Sequence, residues 1–384
     1  MVTRANDLVR RSDRSDASPT IREARLDDLE NLVCIEKRCF QIDRFSRRNF
    51  RYLLSEANAI TLVEEQGGTL RGYAMVLFHE GTSLARLYSF AVDPDFQRQG
   101  VGQRLIAAAE ELALREECVT LRVEVRKDNA ASIAMAKKCG YRYLDVVPDY
   151  YEDHMDAWRF EKFLAPHLAP DLVRVPYYQQ TLDFTCGPSA LMMAMKALNA
   201  DLPLDRKLEL RIWRESTTIF MTSGHGGCGP YGLALSAYHR GFGVDVHVND
   251  EGVLFISSVR SPEKKEVMKL VQEDQRDELR RLPVRIFHGA MIVEQIQQKF
   301  EQGGVPLVLI SSYRIYREKF PHWVVVTGFD ERYVYVHDPF VDSENGKTMT
   351  DCVSMPILKK DFQRMARYGK TGQKAVLIIK KRAG

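Results

Sequence analysis

The stretch that most limits how this chain can fold runs Phe90-Ala91-Val92-Asp93-Pro94-Asp95-Phe96-Gln97-Arg98-Gln99-Gly100-Val101-Gly102. An apolar, strand-like run over 84–92 stops at Asp93-Pro94, and apolar residues return at helical spacing over 101–114. The glycine-rich segment therefore joins a strand end to a helix start. Gly100 and Gly102 let the backbone approach a ligand closely. The first N–H groups of the helix then face that ligand with the positive end of the dipole behind them. A pyrophosphate suits such a cradle, although the same spacing also makes an ordinary tight turn.

Around this stretch the first half of the chain predicts the order βααβββαβαββ, a mixed α/β sheet with a parallel pair beside the ligand. A strand begins at Thr20-Ile21-Arg22, and Asp27 is expected to cap the helix that follows. Ser46 caps a second, short helix, and a hairpin turns at Gly67-Gly68. A strand over 118–125, a helix over 129–139 stopped by Gly140, and two strands over 141–147 and 156–163 complete the unit. Two prolines, Pro166 and Pro170, then read as a short stiff linker, because proline continues neither a ladder nor a helix interior.

A chain of 384 residues is expected to form two domains of about 100–200 residues each. We place a disordered start at 1–17, the first domain at 18–165, the linker at 166–172 and the second domain at 173–384. The net charge of +3 comes from 55 basic and 52 acidic residues, a balance that argues against a nucleic-acid partner. The seven cysteines are odd in number and scattered, so neither a disulfide framework nor a metal site is expected. The charged start lacks the apolar core of a signal peptide, and no apolar run approaches the roughly 20 residues of a membrane span. A cytoplasmic protein without a membrane partner is expected; the oligomeric state is left open.

The Gln-Arg-Gln-Gly-Val-Gly loop after Val-Asp-Pro resembles motif A of the GNAT acetyltransferases. Two further stretches are similar to the ribosomal-protein-alanine N-acetyltransferases within that family: 123–134, reading Val-Glu-Val-Arg-Lys-Asp-Asn-Ala-Ala-Ser-Ile-Ala, and Cys139-Gly140-Tyr141. The resemblance implies acetyl-CoA as acetyl donor, held by Phe90, Ala91, Val92, Gln97, Arg98, Gln99, Gly100, Val101, Gly102 and Gln103 together with Asn129. It implies Glu124 as general base toward a peptide or protein amine, possibly an N-terminal one. Glu124 also reads as an ordinary strand carboxylate, and Asn129 as the cap of its own helix. The chain departs from the family at Ala136, where a tyrosine protonates the leaving thiolate. Tyr151 is expected to take that role and Tyr150 to shape the acceptor site; otherwise water protonates a thiolate whose pKa is near about 8.5.

In the second half, Val173-Arg174-Val175-Pro176-Tyr177-Tyr178-Gln179-Gln180 predicts a strand running into a loop. Cys186-Gly187-Pro188 follows, opening an apolar helix, and a helix start favours a thiolate. His322 begins an apolar strand and Asp338 ends the next, so antiparallel pairing would bring the two together. With Gln180 six residues before Cys186, this pattern resembles the C39-like group of papain-type cysteine peptidases. The resemblance implies a helix packed on an antiparallel sheet, with Cys186 as nucleophile, His322 as base and Asp338 orienting the imidazole. The Gln180 amide and the Cys186 N–H would donate to the oxyanion. Cys228-Gly229-Pro230 repeats the Cys-Gly-Pro triplet but has threonine at 222 where the glutamine is needed, and His337 is a nearer neighbour of Asp338 than His322. Two further possibilities stay open. The second domain could be a silent peptide-binding module, and the first an acyl-CoA sensor.

Overall fold

Glycine and proline at the turns, and alternation of apolar residues between them, lay out two separate sheets. The computed structural model describes residues 18–165, 171–172, 175–217, 226–256, 259–345, 347–369 and 371–382. The stretch 1–17 and the linker residues Pro166 and Pro170 lie outside these. Residues 18–78 and Ala85–Leu164 form one compact unit, and His79–Leu84 with the residues from Ala165 onward form the other.

The first unit runs β1 (Thr20–Glu23), α1 (Leu29–Cys39), α2 (Arg47–Ser55), β2 (Ala59–Gln66), β3 (Thr69–Phe78), β4 (Leu84–Val92), α3 (Val101–Arg115), β5 (Thr120–Arg126), α4 (Ala130–Lys138), β6 (Arg142–Val147) and β7 (Ala157–Phe163). This is the mixed α/β order expected, in one seven-stranded sheet ordered β1-β2-β3-β4-β5-β7-β6. Successive residues of a strand point to opposite faces. Ala74 and Val76 therefore pack with Val101, Leu105 and Ala109 of α3, while Tyr73 and Met75 pack with Leu32, Ile35 and Phe50 of α1 and α2. A bulge at Tyr88 interrupts the pairing of β3 with β4: Met75 lies opposite Ser89, yet Val76 lies opposite Leu87. The extra residue bends β4 just before the glycine-rich loop.

Asp27 does not cap α1. A 3-10 turn over Leu26–Asp28 precedes the helix, and Asp28 is the buried carboxylate, accepting from the Arg25 N–H at 2.7 Å and pairing with Arg22 at 2.7 Å. Ser46 does cap α2, accepting from the Asn49 N–H at 3.1 Å.

The second unit contains β8 (Asp171–Leu172), α5 (Cys186–Leu198), α6 (Arg206–Ser216), α7 (Pro230–His239), β9 (Phe242–Val248), α8 (Pro262–Arg280), β10 (Arg285–His288), α9 (Val293–Glu301), β11 (Val305–Ser311), α10 (Tyr313–Tyr316), β12 (Pro321–Phe329), β13 (Tyr333–His337), α11 (Met349–Cys352), β14 (Met355–Leu358), α12 (Lys359–Met365) and β15 (Ala375–Lys381). Its eight-stranded sheet is ordered β10-β9-β15-β11-β12-β13-β14, with β8 on β12. Except for the parallel pair of β10 with β9, these strands pair antiparallel. Alternation again assigns the faces. Leu307, Leu309, Trp323, Val325 and Leu377 pack with α5 and α7, whereas Val308, Ile310, Val324 and Val376 pack with α9 and α12. Helix α5 is buried on all sides from Cys186 to Met195, the position of a central helix.

The strand expected over 173–180 is not found over 175–180, which is irregular; residues 173 and 174 lie outside the described set. Pro176 has no N–H for a ladder. The Gln180 N–H instead donates to the Pro339 carbonyl at 2.8 Å, and the Tyr177 hydroxyl to the Asp338 carbonyl at 3.0 Å.

Candidate active sites

The mouth of α3 is the first site. Gly100 sits ahead of Val101 with φ of 79°, the left-handed conformation that glycine adopts without strain. The first α3 amide with a helical partner is that of Arg104, which donates to Gly100 at 3.1 Å, so the preceding turn has donors to give. Gln97, Arg98, Gln99 and Gln103 are exposed around it. A Cβ on Gly102 would come within 2.9 Å of Met135 Sδ and 3.3 Å of the Phe90 ring. Two arginines brace the loop from below: Arg71 donates to the Gln99 side chain, and Arg104 donates to the Gln99 carbonyl at 3.1 Å while pairing with buried Glu64 at 2.8 Å. Asn129 accepts from the Ser132 N–H at 3.0 Å through its oxygen, so its amide N–H groups remain to donate. A positively poled helix start entered through Gly100 and Gly102 fits a pyrophosphate.

The expected base, Glu124, lies on β5 directly opposite Arg159 of β7, and its side chain is only 3% exposed. Arg86 Nε donates to it at 2.8 Å, and Arg159 Nε stands 3.7 Å away. The carboxylate is thus held between two guanidinium groups inside the sheet. The two tyrosines stand in different surroundings. The Tyr150 hydroxyl accepts from Arg86 and so joins the Glu124 cluster, keeping its own proton to donate. Tyr151 packs edge-on against Tyr150 at 4.9 Å and lies under the Arg126 guanidinium at 5.2 Å. Burial pushes both phenols well above the ordinary tyrosine range. Both therefore stay protonated at neutral pH and are weak acids. Ala136 is buried in the core against α3.

The second site is built at the N-terminus of α5. Antiparallel pairing of Val325 with His337 puts Asp338 within diagonal reach of His322. His322 Nε2 and Asp338 Oδ1 meet at 2.6 Å, with the two side chains 1% and 0% exposed. Burial alone would push the imidazole down, but the Asp338 carboxylate, reinforced by a hydrogen bond to Cys186, outweighs it and holds His322 at about 10. With Nε2 on Asp338, Nδ1 is the nitrogen left for Cys186. His322 thus already carries a proton at neutral pH. Burial also works against the Asp338 carboxylate, yet His322, Tyr316 and the Phe340 N–H together keep it below the ordinary range.

Gln180 is tied to the same site through its bond to Pro339, and its Nε2 donates to the Leu182 carbonyl at 2.9 Å. One of its two amide protons is therefore engaged and the other is free for an oxyanion. The competing residues have other work. His337 accepts from the Ser354 N–H at Nδ1 and reaches the Val175 carbonyl through Nε2, both at 2.8 Å, which makes it a neutral strut. Cys228 is buried, and burial raises its thiol well above the ordinary range; its carbonyl accepts from Trp323 Nε1 at 3.0 Å.

Three residues that matter here were not singled out from the sequence. Arg86 is a lone charge inside an apolar strand, and that isolation was its signal. Tyr316 donates to Asp338 Oδ2 at 2.6 Å, with no motif to mark it. Glu209 of α6 is fully buried and gathers the loop between Gln180 and Cys186. It accepts from the Thr181 N–H and hydroxyl at 2.8 Å each, from the Tyr178 hydroxyl at 2.9 Å, and from Thr185. Among the described residues no group of three or more His, Cys, Asp or Glu is arranged to hold a metal ion, and no helix is long and apolar enough to cross a membrane.

Comparison with known proteins gives a match for each unit. Residues 175–380 match the Peptidase_C39 like family, and residues 26–141 match the Acetyltransferase (GNAT) family. The ribosomal protein bS18-alanine N-acetyltransferase of Salmonella typhimurium is 43% identical over 77 residues, 19% of this chain and 51% of that protein. That of Escherichia coli K12 is 35% identical over 88 residues, 22% of this chain and 57% of its own length. The chain thus spans little more than half the length of these two relatives. A putative enzyme of the same name from Bacillus subtilis is 28% identical over 134 residues, 35% of this chain and 87% of that protein. The crystal structure of the ribosomal-protein-S18-alanine N-acetyltransferase from Escherichia coli is 28% identical and covers 38% of this chain and 94% of its own, with a TM-score of 0.36.

Two predictions follow from the geometry of the second site. His322 has a raised pKa when folded, so its contribution to stability is complete below about pH 6.5, its unfolded value, and is lost as pH rises toward about 10. Stability of this unit should fall across that window, at most about 1.4 kcal/mol per pH unit. Denaturant midpoints read by tryptophan fluorescence in a Trp158→Phe background, where Trp213 and Trp323 report, should show the slope. His322→Gln should flatten it. Glu209→Ala removes the shared acceptor of buried Thr185 and of the partly buried Tyr178 and Thr181 donors, and should cost about 2–3 kcal/mol in the same assay.

Proposed function

The chain belongs to the Peptidase_C39 like family, whose model covers residues 175–380, and a GNAT acetyltransferase domain precedes that region; from this premise we propose a bifunctional peptide-modifying enzyme. One domain transfers acetyl from acetyl-CoA to a peptide or protein amine, and the other hydrolyses a peptide bond through Cys186.

For the transferase, the supporting observation is the donor-rich mouth of α3 behind Gly100. The N–H groups from Gln97 through Gln103 would hold the pyrophosphate, and Asn129 would add its amide. When bound, acetyl-CoA supplies an acyl group activated as a thioester. The cluster of Glu124, Arg86 and Tyr150 acts on the acceptor side. Glu124 draws in the ammonium form of the acceptor and takes up its proton, directly or through water. Arg86 keeps the carboxylate oriented; as the amine attacks the thioester carbonyl and the C–S bond breaks, the Tyr150 O–H hydrogen-bonds the departing sulfur, which takes up the proton lost by the new amide nitrogen. The relatives carry names that specify an alanine of ribosomal protein bS18; an α-amine acceptor is the matching class here.

For the hydrolase, the observation that carries the reading is the buried His322–Asp338 pair at 2.6 Å beside the helix-starting Cys186. The Cys186 sulfur attacks the peptide carbonyl, His322 gives its proton to the leaving amine, and water then releases the acyl group. Gln180 and the Cys186 N–H face the developing oxyanion. A bound imidazolium favours this reading over a silent binding module, which has no need to bury one.

Incubating the protein with acetyl-CoA and a proteome-derived peptide mixture, and reading both acetylated and newly cut termini by mass spectrometry, tests both halves. Acetylated amines should fall at least tenfold, an order-of-magnitude expectation, in Glu124→Gln. New termini should disappear in Cys186→Ser. Acetylation unchanged in the first variant, or cutting unchanged in the second, sinks the corresponding assignment.

A further inference from the structure

The Cys186, His322 and Asp338 set is completed by a residue that no sequence motif marks. Asp338 has no exposure to solvent, and three donors share its two oxygens. His322 Nε2 and the Phe340 N–H meet Oδ1 at 2.6 and 2.9 Å, and the Tyr316 hydroxyl meets Oδ2 at 2.6 Å. Tyr316 also lies 3.1 Å from the Phe340 carbonyl, but the charged, closer oxygen takes the proton.

The tyrosine is delivered with little freedom. It ends the one-turn helix α10, which Arg317 closes in the left-handed region at φ 57°. Its ring stacks on Phe320 at 6.0 Å, meets the edges of His322 and Phe340 at 6.0 and 5.1 Å, and carries Lys347 Nζ over one face at 4.3 Å. Burial, followed by the charge of Asp338, holds the phenol well above its ordinary range, so it is a neutral donor at neutral pH. The other titratable groups around the pair are Cys186 against His322, and Cys352 and Tyr177 beside Asp338 and Tyr316. Cys352 is kept a neutral thiol by burial, and the Tyr177 hydroxyl is spent on the Asp338 main-chain carbonyl.

We infer that Tyr316 is a positioning residue of the thiol site: it pins Oδ2 of Asp338 so that Oδ1 stays aligned on His322 Nε2. The inference rests on the thiol-hydrolase reading above. A buried carboxylate turns about its Cβ–Cγ bond unless both oxygens are engaged, and each turn breaks the line from Asp338 through His322 to Cys186. The phenol also draws charge from the carboxylate. Without it Asp338 binds the imidazolium more strongly, so the loss of Tyr316 misaligns the histidine and raises its pKa together.

The test is alkylation of the full chain by iodoacetamide across pH 5–10, with Cys186 and the exposed Cys34 quantified separately by mass spectrometry. Cys34 serves as an ordinary thiol within the same molecule. Wild-type Cys186 should outpace Cys34 at neutral pH. Tyr316→Phe should slow Cys186 by roughly tenfold, the effect of one hydrogen bond to a charged group, leave Cys34 unchanged, and move the upper limb of the Cys186 profile to higher pH by about half a unit or more. A Tyr316→Phe profile that overlays wild type overturns the inference while the thiol site stands. A lower melting temperature with an unmoved limb also overturns it, since it marks a packing role alone. Wild-type Cys186 reacting no faster than Cys34 would bring down the thiol-site reading, and this inference with it.

Discussion

A charge taken out of water must be met by another charge or by enough hydrogen bonds, and in this chain the buried carboxylates decide where everything chemical is placed. Asp338 has His322, Tyr316 and the Phe340 amide. Glu209 has the Tyr178, Thr181 and Thr185 donors. Glu124 has Arg86 and Arg159, and Glu64 has Arg104 and Arg71. Removing Asp338 or Glu124 would strand His322 or Arg86 and Arg159 in a low-dielectric interior. The loops that carry the chemistry are therefore held as firmly as the strands beneath them.

Both units also exploit a helix start. At α3 the first amides have no helical acceptor, and a left-handed glycine precedes them. At α5 the same end of a helix is buried and holds a side chain of the protein itself, Cys186. What separates the two uses is burial. An exposed helix mouth attracts a diffusible anion, whereas a buried one can only act on groups folded against it. The imidazolium beside Cys186 extends this effect, because the field of the helix and the charge of His322 act on the same sulfur.

Much of this was legible from one strand of letters. The order of strands and helices in the first unit followed from period and punctuation, with Ser46 and Asn129 capping their helices as their side-chain chemistry requires. Glycine at 100, cysteine at 186, histidine at 322 and aspartate at 338 stood out because each occupies a place where local backbone and chemistry coincide. Other features were not legible. Asp27 and Asp28 read alike in sequence, yet Arg22 and the Arg25 N–H draw Asp28 inward and neither side chain caps α1. The segment 175–180 continues the apolar start that suggested a strand running into a loop, yet Pro176 lacks a ladder N–H and the Gln180 N–H goes to Pro339, leaving it irregular.

The sequence by itself determined the punctuation, the alternation of the strands and the identity of the reactive side chains, because these depend on neighbours a few residues away. Only the tertiary structure decided which charges face one another. It set Arg86 and Arg159 on Glu124, brought the Tyr150 hydroxyl onto Arg86, and brought Tyr316 to Asp338 across 22 residues of chain. Electrostatic partnership depends on distance in space and on exclusion of water, and neither quantity is written in the spacing of residues along a chain.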